Sequence, residues 1–219
     1  MPFELLTLER DERVATLTLN RPAKRNALNA MLREEVRSAL ATVEADDSIS
    51  VAIITGAGAS FCAGFDTSEF ETTPPAAVFA AEATVRYHEQ LQTFAKPLIA
   101  AINGPAMGGG FDIAVLCDVR IAAETAAFAH PEIKFGAPTL FGPLAAIIGA
   151  GMARDLCLSG RAIDAREALR IGLVSKVVPG EMLMEEARAV ARQIAEAPLP
   201  ALKAVKASII QGLDWKFTA

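Results

Sequence analysis

Apolar and polar positions change period along this chain. "FELLTLE" and "VATLTLN", split by the charged turn "RDER", are β-rich and predict a hairpin. In "AMLREEVRSALATVEADD" the apolar residues Met31, Leu32, Val36, Leu40 and Val43 have the spacing of an amphipathic helix. "VAIIT" (Val51 to Thr55) is short and wholly apolar, a buried strand, and the loop "GAGASFCAGFD" follows it. Pro74 and Pro75 open a helix that the pattern carries to about Phe94. "LIAAIN" (Leu98 to Asn103) is another buried strand, and "GGGFDIAVLC" begins another helix. "VRIAA" and "AAFAH" predict two more strands. From about Pro138 onward the pattern is mostly helical, ending in "EMLMEEARAVARQIAEA" and "ALKAVKASIIQG". The order is strand, strand, helix, loosely repeated, with a helical end and no linker.

Composition narrows the class. A chain of 219 residues is one large domain or two small ones. Hydrophobic content of 52% with 21% charged residues marks it as globular. A net charge of −5, without a dense block of Lys and Arg, argues against nucleic acid or an anionic membrane as partner. The uncharged runs Pro97 to Phe111 and Phe135 to Ala153 hold prolines and glycines, and read as buried interior rather than membrane spans. Cys62, Cys117 and Cys157 are odd in number and lack CxxC spacing, which predicts reduced, buried thiols in a cytoplasmic protein. "MPFELLTLERDERV" has no basic n-region followed by an apolar h-region, so no secretory signal is expected.

Most familiar chemistries then drop out. Only His88 and His130 are present, and neither has a second ligand at helical spacing, so no metal site is expected. His88, in a helix among charged residues, is expected on the surface. "GAGASF" follows a strand, but Phe61 stands where the dinucleotide fingerprint needs its third glycine. No GxSxG elbow occurs. What remains is a pair of similar junctions, "SFCAGFD" and "INGPAMGGGFD". Glycine admits positive φ and close backbone approach. A helix starting at Gly108 or Gly109 aims unpaired N–H groups and a positive dipole end at whatever lies there. Two such junctions facing each other would make a two-donor oxyanion hole. Two acids stand close in sequence. Asp112 lies in the first turn of the second helix, where dipole stabilisation alone would account for it. Glu132, in "AHPEIKFG", could equally be a surface acid paired with Lys134.

Taken together these pieces resemble the crotonase family, the enoyl-CoA hydratase/isomerase superfamily. The likeness runs in order through "TLNRPAKRNALNAML", "VAIITGAGASFCAGFD", "PLIAAINGPAMGGGFDIAVLCDVRIAAETAAFAHPEIKFG" and "LSGRAIDAREALRIGLVSKVVP". The resemblance implies an α/β fold: a spiral of repeated ββα units over residues 1–195. It implies a helical C-terminal region, 196–219, used for trimerisation, giving a homotrimer or a dimer of trimers. Such enzymes act on acyl-CoA thioesters, so coenzyme A would enter as part of the substrate, with no metal or redox cofactor. The thioester carbonyl would accept backbone N–H bonds from Phe65 and Gly109, and one such donor is worth roughly 3–4 kcal/mol. Glu132 would be the general acid/base at the substrate carbon, and Asp112 would position and help activate a water. Arg25 would meet the CoA phosphates. The backbone of Ala27, Ala63, Asp66 and Thr67 would hold the adenine and pantetheine parts. Pro138, Leu140 and Phe141 would line the acyl pocket.

The resemblance has departures. Asp112 replaces a glutamate of the hydratases and is one methylene shorter, roughly 1.5 Å, where near-attack geometry responds to about 1 Å. A Δ3,Δ2-enoyl-CoA isomerase needs only the acid at the Glu132 position. Dienoyl isomerases carry a further Asp where this chain has Leu140. Family members usually continue for a few tens of residues past "LDWKFTA". The leading expectation is hydration of a trans-2-enoyl-CoA. The alternatives are the isomerase and an acyl-CoA-binding homologue without catalysis.

Overall fold

The computed structural model describes residues 3–212. β1 (Leu6–Asp11) and β2 (Val14–Leu19) form the expected hairpin, with Asp11 opposite Val14 and Glu12 at φ 50° in the turn. α1 (Ala30–Ala45) is capped by Asn29, whose side chain accepts from Leu32 N. Its buried stripe, Leu32, Val36, Ala39, Leu40 and Val43, follows the helical period. β3 (Val51–Gly56) leads to α2 (Pro75–Ala80) and α3 (Glu82–Thr93). The single helix expected from Pro74 to Phe94 is therefore two. Ala81 is extended (φ −61°, ψ 135°) between them. The break lets Phe79 of α2 pack on Phe65 while α3 runs along α1.

β4 (Leu98–Ile102), β5 (Ala106–Met107) and α4 (Gly109–Leu116) come next, then β6 (Val119–Ala123) and β7 (Ala127–Ala129). α5 (Phe141–Ile148), α6 (Ala150–Ser159), β8 (Ile163–Asp164), α7 (Ala165–Arg170), β9 (Lys176–Val178), α8 (Leu183–Ala195) and α9 (Leu199–Gly212) complete the described chain. The expected C-terminal helical region is thus described as far as Gly212; residues 213–219 lie outside the described residues.

The strands form two sheets. One has the order β1-β2-β3-β4-β6-β9, parallel except at β1; the other has the order β5-β7-β8. The chain passes from β4 to β5, from β6 to β7 and from β8 to β9, so successive turns feed both sheets. That is a spiral of strand, strand and helix.

Side-chain alternation divides the large sheet between two apolar layers. Ala52, Ile54, Leu98, Ala100 and Ile102 face the layer that holds α1. Val51, Ile53, Ile99 and Ala101 face α8, which answers with Leu183, Ala187, Ala191 and Ala195. Two buried lysines fasten the frame. Lys96 Nζ donates to the carbonyls of Val43, Asp46 and Ile49 at 2.7, 2.7 and 2.9 Å, closing the end of α1. Lys206 of α9 donates to both Asp118 oxygens, at 2.6 and 2.7 Å. All three cysteines are buried free thiols, and burial pushes Cys62 and Cys117 up to about 12.

His88 corrects a sequence expectation. It is 2% exposed, not on the surface. Thr84, Tyr87, His88 and Leu91 make the buried stripe of α3, at i, i+3, i+4 and i+7. The charged neighbours Glu82, Arg86 and Glu89 lie off that stripe. Burial lowers the imidazole to about 4.

Candidate active site

The site is built where β3 and β4 end and the backbone leaves the sheet. The loop after β3 is held by Asn26, fully buried at φ 56°. Its amide donates to the carbonyls of Ala57, Ser60 and Phe61 at 2.9, 2.8 and 3.2 Å, and its oxygen accepts from Arg21 N at 2.9 Å. Residues 25–28 then run beside 63–66: Ala63 N donates to Arg25 O at 2.9 Å, Leu28 N to Gly64 O at 2.8 Å and Asp66 N to Leu28 O at 3.1 Å. Because Gly64 O and Asp66 N both turn toward Leu28, the intervening Phe65 N–H turns the other way. It donates to no described partner.

The second junction meets the first almost without clearance. Gly108 has φ 51° and ψ −125°, a conformation that side chains oppose, and it opens α4. Gly109 is packed so that a Cβ there would lie 2.8 Å from the Phe65 ring. A Cβ at Gly110 would lie 2.3 Å from the carbonyl oxygen of Cys62. A Cβ at Gly64 would lie 3.3 Å from Gly109 N. The three glycines are therefore needed for three separate reasons: a dihedral, a ring and a carbonyl. Gly109 N–H, at the first position of α4, is one of the donors a helix leaves unpaired.

The two acids meet at a histidine. Asp112 lies one turn into α4, 7% exposed. Glu132 lies in a short 3-10 turn, Pro131–Phe135, closed by Gly136 at φ 78°. His130, fully buried at the end of β7, stacks on Phe111 with ring centroids 4.6 Å apart. Its Nδ1 is 2.7 Å from Glu132 Oε1 and 3.9 Å from Asp112 Oδ1. No ion pair joins Glu132 to Lys134 among the described residues. Burial raises Asp112 to about 7, with the charge of Glu132 adding to the rise and His130 opposing it. His130 is itself raised, because its bond to Glu132 and the charges of both acids outweigh the burial that opposes protonation. The reactive atoms of the three groups lie within 4.8 Å of one another. Nδ1 is hydrogen-bonded to Glu132, whereas Asp112 Oδ1 and His130 Nε2 are buried without a described hydrogen-bond partner.

A cavity of about 80 Å³ opens between the junctions. Glu132, Gly108, Gly109, Gly64 and Phe65 line it, with Phe70, Phe79 and Phe135 as apolar walls. Ala63 and Thr67 also line it. Arg25 and Ala27 stand beside this group through the ladder just described, and Asp66 is paired with Arg21 at 3.0 Å. Asp112 lies behind Glu132 and does not line the cavity. The structure does not bring Pro138, Leu140 or Phe141 to it either: Leu140 is buried in the core, and Pro138 and Phe141 face solvent. Sequence reasoning missed Asn26, Arg21 and the phenylalanine walls, and it weighed His130 only as a metal ligand. The "HPE" run was the available signal, an imidazole two residues from the acid.

A ββα spiral with its strands in two sheets is the crotonase class of fold. The enoyl-CoA hydratase/isomerase family model matches residues 9–218, and the chain belongs to that family. A Mycobacterium bovis protein named "probable enoyl-CoA hydratase" is 43% identical over 217 residues, covering 98% of this chain and 84% of that one. The short-chain-enoyl-CoA hydratase of Clostridium acetobutylicum is 39% identical over 220 residues, with the same coverage of 98% and 84%. Among solved structures, the enoyl-CoA hydratase of Bacillus anthracis superposes with a TM-score of 0.90 at 34% identity, covering 97% of this chain and 85% of that one.

Proposed function

We propose that this chain is an enoyl-CoA hydratase, adding water across the conjugated double bond of a trans-2-enoyl-CoA to give a 3-hydroxyacyl-CoA. The observation that carries the reading is Glu132 facing the same cavity as Phe65 and Gly109. The thioester oxygen accepts from the two backbone N–H groups. Hydroxide from water bonds to the β-carbon while a carboxylate takes the water's other proton. The π electrons move onto the thioester as an enolate, whose charge the two donors hold. The proton is then returned to the α-carbon, and Glu132 is the group placed to exchange it. Asp112 supports the activation of water from behind Glu132. No electron changes hands, so the step calls for no redox cofactor.

Residues 25–28 and 63–67 form the rim for the CoA portion, with Arg25 exposed beside it for phosphate. The small cavity favours a short acyl group held by Phe70, Phe79 and Phe135. α9 leaves Val205 and Ile209 exposed at 62% and 44%, which supports assembly of the chain into a homotrimer or a dimer of trimers. Buried thiols suit a cytoplasmic setting, and among the described residues no helix is long and apolar enough to cross a membrane.

Hydration of crotonyl-CoA tests the reading through loss of the absorbance of the conjugated thioester. Steady turnover is expected; no loss with any short or medium trans-2-enoyl-CoA refutes it. The absence of Asp112 from the cavity favours one rival, a Δ3,Δ2-enoyl-CoA isomerase with Glu132 as sole acid/base. A gain of the same absorbance from 3-enoyl-CoA, with no hydration, would establish that rival.

A further inference from the structure

The site contains a buried imidazole that the reaction just described does not use. His130 is fully buried, at the junction of β7 with the 3-10 turn that carries Glu132. When Glu132 is ionised its carboxylate can only accept, so the 2.7 Å contact between His130 Nδ1 and Glu132 Oε1 then has the hydrogen on Nδ1. That bond uses one oxygen of Glu132 and fixes the carboxyl rotor. The other oxygen, Oε2, is buried without a described partner and lies 3.1 Å from where a Gly108 Cβ would be. It is thus the oxygen presented toward the glycine junction. Asp112 meets the same imidazole from α4, at 3.9 Å from Nδ1.

The charges around the ring are few. Asp112 on α4 and Glu132 on the turn are the acids that face it. Cys62 of the first junction and Cys157 of α6 are nearby thiols that burial keeps protonated. Lys134 points its chain toward Gly160 on the outer side of the turn. Among the described residues, no cation other than the imidazole itself is paired with the two acids.

We propose that His130 is a positioning residue that works as an imidazolium, clamping Glu132 Oε1 so that Oε2 alone exchanges the proton with substrate, with Asp112, once ionised, adding its charge 3.9 Å from Nδ1. The inference rests on the hydratase reading for its kinetic part only. Asp112 acts through the imidazole rather than by touching water, so its shorter side chain does not disqualify it. The raised affinity of His130 for its proton is consistent with this.

The chain has two histidines, which makes a direct test practical. In protein carrying ¹⁵N-histidine, one ring should show both nitrogens protonated at pH 7, and the other, His88, should stay neutral. His130→Asn, which keeps a donor near the Nδ1 position but cannot carry charge, should delete the charged ring's signals. Glu132→Gln should let that ring lose its proton at lower pH. Two neutral rings at pH 7 in the wild-type protein overturn the proposal, whatever its activity. In kinetics, His130→Asn should lower kcat about tenfold or more while KM stays within about threefold, and should move the alkaline limb of the pH profile. Wild-type kcat with an unmoved profile overturns it as well. If the wild-type chain hydrates no enoyl-CoA, the hydratase reading fails while the NMR result still decides the state of His130.

Discussion

The α8 face of the large sheet and the junctions past the ends of β3 and β4 are built from the same strands by opposite means. On the α8 face the packing is mainly apolar, Val51, Ile53, Ile99 and Ala101 against Leu183, Ala187, Ala191 and Ala195. On the other side, past the ends of β3 and β4, the chain buries Asn26, Asp112 and His130 and packs glycine backbone against backbone. The α8 face needs volume and period. Swaps of similar size should be tolerated there, because dispersion and burial are non-directional. The junction side needs particular atoms in particular places. It leaves backbone donors unpaired and buries the acid Asp112, both of which cost stability. The difference shows how one fold combines a tolerant apolar frame with an edge that admits few substitutions.

Substitutions on the two sides should separate these requirements. The largest combined effect is expected for Gly110→Ala. Its Cβ would lie 2.3 Å from a backbone oxygen and 2.7 Å from Cys62 Cβ, and backbone cannot step aside cheaply. Hydration should fall by about 100-fold or more even in protein that remains folded, because the junction must shift by about an ångström. Near-wild-type turnover would break the comparison. Leu183→Ala on the α8 face comes next. It should cost about 2–5 kcal/mol in denaturant unfolding, with kcat and KM per folded molecule unchanged. A loss of kcat at full folding would mean that the faces are not independent.

Asp112→Asn should change stability by an amount that depends on pH. The native carboxyl titrates near 7, against an ordinary value of 3.8. Between those values the native state holds a proton that the unfolded chain has released. The wild-type protein therefore loses stability as pH rises through this window, with a slope of at most about 1.4 kcal/mol per pH unit. Asn has no proton to lose. The variant should gain on the wild type from about pH 4 to about pH 7, and the gap should level off above that. Urea unfolding at pH 5, 6 and 8 measures it; a constant gap would contradict a buried acid of raised affinity.

Much of this division was legible in the sequence. The α8 face was visible as period: the strands around Val51 and Leu98 and the helix ending at Ala195 all announce themselves by apolar spacing. The "GGGFD" run was legible because a Cβ is excluded at each glycine, and nothing but glycine serves. The break at Ala81 was not, since alanine is a good helix former and only the packing of Phe79 on Phe65 overrides it. His88 was misjudged from charged neighbours that sit on another face of the same helix. The contact of His130 with Glu132 was not legible, because a contact at i+2 across a proline belongs to no helical or strand period. Apolarity alone gave Pro138, Leu140 and Phe141 no address; the structure puts Phe70, Phe79 and Phe135 around the cavity instead.

The central claim is that Glu132 moves the proton on an enoyl-CoA held by the two junctions. The most direct measurement is crotonyl-CoA hydration by Glu132→Gln beside the wild-type protein, with ligand binding checked by calorimetry. The account predicts that kcat falls by about 100- to 10,000-fold while binding of the CoA thioester survives. Full activity in Glu132→Gln would contradict it.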